Sequence, residues 1–203
     1  MDDAAKLDVC LIGHSFFTRL HGYMQSNRCL RNLNLNVDKF HISVCARGGL
    51  RVSQLSCSNF LNFSSVPHMC FIQIGENDIS RYDCTTLARD ILSLAVYLHE
   101  GLGISIVIIG QLLRRQPWAS PRDFNRKIVV TNQLLKKKCS SQEGIYFWHH
   151  RGFWSDLEFL CRDGVHLRSP HPSVHVVTSS PMHKYWRSIR SAILHFQQLL
   201  RPV

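Results

Sequence analysis

Residues 105–110 have the sequence SIVIIG, in which four consecutive side chains are β-branched and apolar. Alternating polar and apolar residues would indicate a strand with one face in water, whereas an uninterrupted apolar run is typical of a strand buried on both faces. Such strands occur in parallel sheets that helices cover on each side. This stretch therefore predicts an α/β protein.

Strand-like and helical segments alternate on both sides of this stretch. Apolar, β-branched runs predict further strands at residues 8–13, 37–45, 66–74 and 145–148. Apolar residues at helical spacing predict helices at residues 15–27, 52–63, 85–101, 121–138 and 183–200. The alternation predicts a three-layer α/β/α sandwich around a five-stranded parallel sheet, with right-handed crossovers.

The chain is 203 residues long, which suits one domain with one hydrophobic core. We find no internal repeat and no linker, so we expect residues 1–203 to form a single domain. Residues 168–182 are rich in Ser, Pro and His and have no clear period, which predicts an irregular loop.

Composition excludes several classes of protein. Hydrophobic residues make up 45% of the chain and charged residues 19%, as in ordinary globular proteins. The longest apolar candidate, residues 104–110, is too short to span a membrane. The start of the chain, MDDAAKLD, lacks the basic and apolar parts of a secretory signal, so we expect an intracellular, cytoplasmic protein. Eight cysteines without a Cys-x-x-Cys pair indicate free thiols rather than a zinc site.

The formal net charge is +10, and a basic surface attracts phosphate backbones. The basic residues are scattered, however, and the one tight run, residues 136–138, also suits the end of a helix. We therefore favour a solvated basic surface and keep nucleic acid as an untested candidate partner.

Polar segments lie where predicted strands end, and ligands bind open parallel sheets beyond the carboxyl ends of their strands. These segments are Gly13-His14-Ser15, Gly48-Gly49, residues 75–78 (GEND) and residues 163–166 (DGVH). They are far apart in sequence, but the carboxyl ends of parallel strands meet at one edge. We therefore expect the four segments to converge.

The residue types in these segments suit acyl transfer. A serine hydroxyl such as that of Ser15 is a weak nucleophile until a base removes its proton. His166 is a candidate base, and Asp163, three residues earlier, could fix the orientation of its ring. Backbone N–H groups at a helix start or a glycine, together with an asparagine amide, can stabilise the oxyanion that forms.

The four segments resemble the sequence blocks of the SGNH hydrolase superfamily, the GDSL-like esterases and lipases. The Gly-Asp-Ser block appears here as Gly13-His14-Ser15, and the second block is best matched by Gly49. The Gly-x-Asn-Asp block is intact at residues 75–78, and Asp-x-x-His is intact at residues 163–166. The resemblance extends from Val9 to Phe196 with all four blocks in order.

This resemblance implies a flavodoxin-like fold and a serine esterase that hydrolyses a carboxylic ester, with a small acyl or acetyl group, through an acyl-enzyme. It makes Ser15 the nucleophile, His166 the base and Asp163 the residue that orients the base. The main-chain N–H groups of Ser15 and Gly49 and the side chain of Asn77 would form the oxyanion hole. No metal and no organic cofactor are implied.

Residues 13–16, 46–55, 72–78 and 163–167 also resemble SGNH-type domains of animal genomes, some of which LINE-type retrotransposons carry. Two features depart from the family pattern: His14 replaces the usual Asp, and the link after His166 is longer than usual. They leave open an alternative, a catalytically weak or inactive SGNH-fold module that binds nucleic acid or protein through its basic surface. A steep dependence of affinity on salt would distinguish that module from the enzyme.

Each motif also has a simpler interpretation. Ser15 could be only a helix N-cap, and Gly48-Gly49, Asn77-Asp78 and Asp163-Gly164 could be ordinary turns. The conjunction of four motifs at one edge favours catalysis. Gly48 and Trp154 are candidates for substrate binding, although packing under the loop is an equally good interpretation for Trp154. The remaining histidines lack suitably spaced carboxylates or thiolates, so we predict no metal site.

Overall fold

The computed structural model describes residues 6–56, 59–154, 157–170 and 179–200. The five strands of its sheet are β1 (Leu7–Gly13), β2 (Phe40–Ala46), β3 (Met69–Gln73), β4 (Ile106–Gly110) and β5 (Ile145–Trp148). Their order is β2-β1-β3-β4-β5, and every neighbouring pair is parallel. This is the flavodoxin-like order, so the predicted fold class is confirmed.

Five α-helices cover the two faces of the sheet. They are α1 (Ser15–Gln25), α2 (Val52–Ser56), α3 (Cys84–Val96), α4 (Phe124–Cys139) and α5 (Pro181–Phe196). The apolar sides of α1 and α5 share one core cluster, while α2, α3 and α4 contribute to a second cluster. Short 3-10 turns lie at Arg28–Asn34, Asn59–Leu61, Pro117–Ala119 and Gln197–Leu199, and α3 continues into a π turn, Tyr97–Gly101.

Strand β4 shows why its sequence lacks polar residues. Ile106 and Ile108 point into the cluster under α1 and α5, whereas Val107 and Ile109 point into the cluster under α3 and α4. All four side chains are buried. Neither face of this strand meets water, which is the physical reason for the uninterrupted apolar run.

Several predicted boundaries were wrong. The helix predicted at residues 52–63 ends at Ser56, and a separate 3-10 turn follows at Asn59–Leu61. This segment is rich in Ser and Asn, whose side chains compete with helical hydrogen bonds. Strand β2 begins at Phe40 rather than residue 37, and Val37 lies exposed in the preceding turn.

The loop predicted at residues 168–182 ends earlier than expected. Helix α5 begins at Pro181, because the Ser180 side chain accepts a hydrogen bond from the main-chain N–H of His183 and proline suits the first helical position. Residues 171–178 of the predicted loop lie outside the described residues. The single-domain assignment stays a prediction.

The cysteines and the helices allow two further observations. Seven of the eight cysteines lie in the described residues and are free thiols, and Cys10, Cys70 and Cys139 are buried. No helix in the described ranges combines the length and apolar character needed to cross a membrane.

Candidate active site

The carboxyl edge of the sheet brings the predicted site residues together. Ser15 directly follows the turn after β1, Gly48 and Gly49 follow β2, Asn77 follows β3, and His166 lies between β5 and α5. They line one open groove of about 470 Å³, here called the Ser15 groove. Its lining residues are Ser15, Thr18, Arg19, Gly48, Gly49, Asn77, Arg115, Val165 and His166.

Three of the predicted site residues are joined by hydrogen bonds: Ser15, His166 and Asp163. We call these three residues the surface chain. Ser15 Oγ lies 2.9 Å from His166 Nε2, although the two residues are 151 positions apart. His166 Nδ1 lies 2.8 Å from Asp163 Oδ2. A neutral imidazole with its proton on Nδ1 donates to Asp163 and accepts from Ser15. The surface chain therefore has the connectivity that a serine nucleophile requires.

The local turn holds Asp163 in its ionised form. Asp163 Oδ1 accepts hydrogen bonds of 2.9 Å from the main-chain N–H groups of both Val165 and His166. Burial opposes ionisation, but these two bonds and the His166 ring together lower the pKa of Asp163 to about 2. Asp163 is thus a carboxylate at any pH near neutrality.

Gly164 fits this turn for two reasons. Its φ is +70°, a conformation that L side chains rarely adopt. A Cβ atom there would also lie 2.7 Å from the side chain of Ala119 and 2.9 Å from that of Trp118. The turn that carries His166 therefore packs closely against the Pro117–Ala119 turn.

Asn77 is oriented by contacts at both ends of its amide. Its Nδ2 donates to the Leu50 carbonyl at 3.0 Å, and its Oδ1 accepts from Arg115 Nη2 at 3.1 Å. Since Nδ2 carries two hydrogens, one remains after the bond to Leu50. Gly49, which also lines the groove, has a φ of +72°. Asn77 and Gly49 therefore both line the groove beside Ser15.

His14, and not Ser15, is the N-cap of α1. The His14 Nδ1 accepts from the main-chain N–H of Phe16 at 3.5 Å, so the interpretation of Ser15 as a plain cap is wrong. The opposite ring nitrogen, His14 Nε2, lies 2.7 Å from Glu76 Oε2. His14, which stands where the Gly-Asp-Ser block has Asp, thus has a carboxylate partner from the loop after β3.

Glu76 belongs to a network of polar side chains under the groove, here called the buried network. Its members are His14, Gln73, Glu76, His150 and Tyr185, each at most 1% exposed. Glu76 Oε1 accepts from Gln73 Nε2 at 2.7 Å and from the main-chain N–H of Leu113 at 3.1 Å. Gln73 Oε1 in turn accepts from Tyr185 at 3.3 Å and contacts His150 Nε2 at 3.2 Å.

The charges in the buried network follow from these contacts. Burial opposes ionisation of Glu76, but the His14 ring and the Leu113 N–H outweigh it and lower the pKa of the carboxyl group. Burial lowers the pKa of His150 to about 3, so this ring is neutral. The sequence motifs contain His14 and Glu76, but they did not point to Gln73, His150 or Tyr185. The one available signal was Gln73, a polar residue in the apolar strand β3.

Two arginines of the groove were also not anticipated. Arg19 Nη2 lies 3.7 Å from Asp163 Oδ2 at the exposed rim. Arg115 lies deeper, with its guanidinium 4.6 Å from the centre of the Phe124 ring. Its position after β4 is one that a sheet of this topology directs toward the site.

The two predicted substrate-binding residues differ in position. Gly48 lines the groove, and a Cβ atom there would meet nothing within 4 Å. Trp154 is not among the residues that line it. The Trp154 ring instead lies 5.0 Å from the Arg114 guanidinium and packs near His149.

The sequence matches no family model and no curated protein. Solved structures do resemble it. A GDSL-like lipase from Bacteroides thetaiotaomicron is 17% identical, with a TM-score of 0.66 over 95% of this chain and 89% of that one. A carbohydrate esterase family 3 protein from Talaromyces cellulolyticus is 10% identical, with a TM-score of 0.67 over 96% and 100%.

A member of the lipolytic G-D-S-L family from Veillonella parvula is 15% identical, with a TM-score of 0.64 over 96% of this chain and 100% of that one. At such identities the likeness concerns the fold. The chain has the fold of the GDSL-like lipases and carbohydrate esterases, and the predicted resemblance to the SGNH hydrolases is confirmed at that level.

Proposed function

We propose that this protein is a serine esterase that hydrolyses a carboxylic ester through an acyl-enzyme intermediate. The observation that carries the proposal is the surface chain, in which Ser15, His166 and Asp163 are joined by contacts of 2.9 and 2.8 Å. Distant segments of the chain meet here with donor and acceptor atoms correctly matched. The fold it shares with lipases and esterases is consistent with this role.

The first half of the reaction forms the acyl-enzyme. Ser15 Oγ attacks the ester carbonyl carbon while His166 Nε2 takes the hydroxyl proton. Asp163 accepts from His166 Nδ1 and stabilises the imidazolium. The carbonyl oxygen, now an oxyanion, accepts hydrogen bonds from the N–H groups of Ser15 and Gly49 and from the Asn77 amide. His166 then protonates the departing alkoxide.

The second half repeats this chemistry with water. His166 Nε2 removes a proton from a water molecule, whose oxygen attacks the acyl carbon on Ser15. The same donors stabilise the second oxyanion. Collapse of that intermediate releases the carboxylic acid, and His166 returns the proton to Ser15 Oγ. One ester bond is broken and one water is consumed.

The lining of the Ser15 groove favours a small acyl group. Val165 is the one purely hydrocarbon side chain among its lining residues, and the others are glycines or polar side chains. A long acyl chain would need extensive apolar surface to leave water. We therefore propose an acetyl group or a similarly short acyl group.

The binding-module alternative depended on His14, on the long link after His166 and on the basic surface. Residues 171–178 of that link lie outside the described residues. The contact between His14 and Glu76 leaves Ser15 in hydrogen-bonding distance of His166, which supports the enzyme. Binding of nucleic acid stays a prediction, and affinity measured across a range of salt concentrations tests it.

Labelling with a fluorophosphonate probe tests the proposed nucleophile. We expect the wild-type protein to be labelled and the Ser15→Ala and His166→Ala variants to be unlabelled, with unchanged circular dichroism. Ser141→Ala removes an exposed serine of the turn after α4 and is the matched control, which should label normally. Absence of labelling in a folded wild-type protein, or labelling that persists in Ser15→Ala, would overturn the proposal.

A further inference from the structure

Arg115 places a positive charge inside the Ser15 groove. It is half-buried, lines the groove beside Ser15 and His166, and donates from Nη2 to Asn77 Oδ1 at 3.1 Å and to the Glu76 carbonyl at 3.4 Å. A guanidinium has three further N–H donors besides the two on Nη2. Its stacking on Phe124 holds the guanidinium plane in place.

The two arginines of the groove differ in how their charge is balanced. Arg19 faces Asp163 at 3.7 Å, so a carboxylate partly neutralises it. Arg115 forms no ion pair within 4 Å among the described residues, and its hydrogen bonds go to an amide and a carbonyl. The Glu76 carboxylate, which contributes electrostatically, is engaged by His14.

Burial disfavours a charged guanidinium and lowers the pKa of Arg115, although the Glu76 charge opposes this. A half-buried cation without an ion pair is energetically costly unless a ligand compensates it. An anionic group on the substrate would do so, because a guanidinium binds carboxylates and phosphates with strong, charge-assisted hydrogen bonds.

We propose that the Ser15 groove selects esters that carry a negatively charged substituent, a carboxylate or a phosphate, close to the scissile bond. Arg115 would be the main ligand of that substituent. Arg19 adds positive charge at the rim. This inference rests on the proposed esterase function and names its substrate class. It accounts for a groove that contains two arginines and a single purely hydrocarbon side chain, that of Val165.

Arg115 could instead only orient Asn77, and kinetics with matched substrates separates the two roles. The substrates are 3-acetoxybenzoate, its neutral methyl ester and 3-acetoxyphenyl phosphate. The measured quantity is kcat/KM for each anionic ester divided by kcat/KM for the neutral one. A defect in the oxyanion hole slows all three esters and leaves these ratios unchanged, whereas loss of the anion ligand lowers them.

We expect Arg115→Gln to lower the ratios by about tenfold or more, the value of a hydrogen bond to a charged group. The ratios for Arg115→Lys should lie between those of this variant and the wild type, since lysine keeps the charge and lacks the paired N–H donors of a guanidinium. Arg126→Gln removes an exposed positive charge from α4, away from the groove, and should leave the ratios unchanged. Whichever anionic ester shows the larger ratio identifies a carboxylate or a phosphate as the preferred group.

Salt supplies a test that needs no variant. Added sodium chloride should lower kcat/KM of wild-type protein for the anionic esters and leave that for the neutral ester nearly constant. Equal ratios in wild type and Arg115→Gln, or equal salt profiles for all esters, would overturn this inference while hydrolysis of the neutral ester upholds the proposed function. If no ester is hydrolysed and no probe is bound, the proposed function itself fails.

Discussion

The surface chain and the buried network begin at adjacent residues and run in opposite directions. Ser15 leads outward to His166 and Asp163, and the Asp163 side chain is 42% exposed. His14 leads inward to Glu76 and Gln73, which are fully buried. The outer residues are open to a substrate. The inner residues connect segments of the main chain that carry the outer ones.

The buried network links the loops around the groove. Glu76 joins the loop after β3 to His14 before α1, and to Leu113 in the segment after β4. Gln73 extends these contacts to His150 after β5 and to Tyr185 on α5. Buried polar groups are stabilising only when their hydrogen bonds are satisfied, so the network depends on all of these loops being in place. The proposed reactive groups are thus distinct from the buried groups that position them.

Asp163→Asn gives the largest expected effect, and it should affect the surface chain alone. The two main-chain N–H groups at Oδ1 would hold the amide oxygen there and turn the amide nitrogen toward His166 Nδ1. That geometry stabilises the wrong tautomer of the base. Turnover of 4-nitrophenyl acetate should fall by about 10³-fold, or about 4 kcal/mol in the barrier, while the thermal midpoint stays within a few degrees. Exposed Asp38→Asn is the control, and normal turnover in Asp163→Asn would contradict the role given to Asp163.

Glu76→Gln should show the opposite signature, a loss of stability. An amide cannot accept from His14, Gln73 and Leu113 together, so a buried donor is left without a partner. The free energy of unfolding should fall by about 3 kcal/mol, which lowers the midpoint by roughly 10 °C. Chemical denaturation measures this, with exposed Glu143→Gln as the matched control. An unchanged midpoint would show that the buried network does not hold the fold together.

Gly49→Ala is expected to have a smaller effect on stability and on turnover. The position matters for the backbone conformation of its turn and for the proposed oxyanion hole. Its φ of +72° costs an L-residue about 1–2 kcal/mol, and relief of that strain would turn the N–H away from the groove. Both stability and turnover should therefore decrease. Gly48→Ala is the natural comparison, because its φ is not in the left-handed region and a Cβ atom there meets no neighbour. Similar effects of the two substitutions would rule out this explanation.

The pH dependence of Asp78 is expected to change stability and to leave turnover unaffected. Burial raises the pKa of this carboxyl group to about 6, against 3.8 for an ordinary aspartate. Between these values the folded protein binds the proton more tightly than the unfolded chain, so stability from this group decreases as pH rises from 4 to 7. Wild type should lose roughly 2 kcal/mol relative to Asp78→Asn over that range, since one pKa unit is worth about 1.4 kcal/mol and most of the difference between the two pKa values acts between pH 4 and 7. Denaturant titrations of both proteins at pH 4 and 7 measure the difference, and a gain by wild type would reverse the assigned direction.

The sequence predicted the elements whose signals are local. Strand β4 was evident because both of its faces are buried, and the helices were evident from apolar residues at helical spacing. The helix predicted at residues 52–63 was too long. Residues there are weak helix formers, so tertiary contacts decide where the helix ends. The start of α5 carried a local signal, Ser180-Pro181, which the loop-like composition before it obscured.

The candidate site likewise has parts that the sequence predicted and parts that it did not. The motifs at residues 13–15, 75–78 and 163–166 could be placed at one edge because parallel strands end together. The contacts of Gln73, His150 and Tyr185 in the buried network could not be predicted, since these residues belong to none of the motifs. Gln73 and Tyr185, for example, lie 112 positions apart. The same holds for Arg115, whose place beside Asn77 depends on how the segment after β4 folds back.

The sequence by itself determined the layers, the parallel sheet and the edge at which polar residues gather. These follow from apolar patterning and from the glycines and turns at strand ends, which act over a few residues. Only the tertiary structure decided how the other polar residues pair. His14 binds Glu76, Gln73 binds Tyr185, and Arg115 lies in the groove without an ion pair among the described residues. The physical reason is that a hydrogen bond depends on distances and angles of a fraction of an ångström between groups far apart in the chain, and packing of the whole sheet sets them.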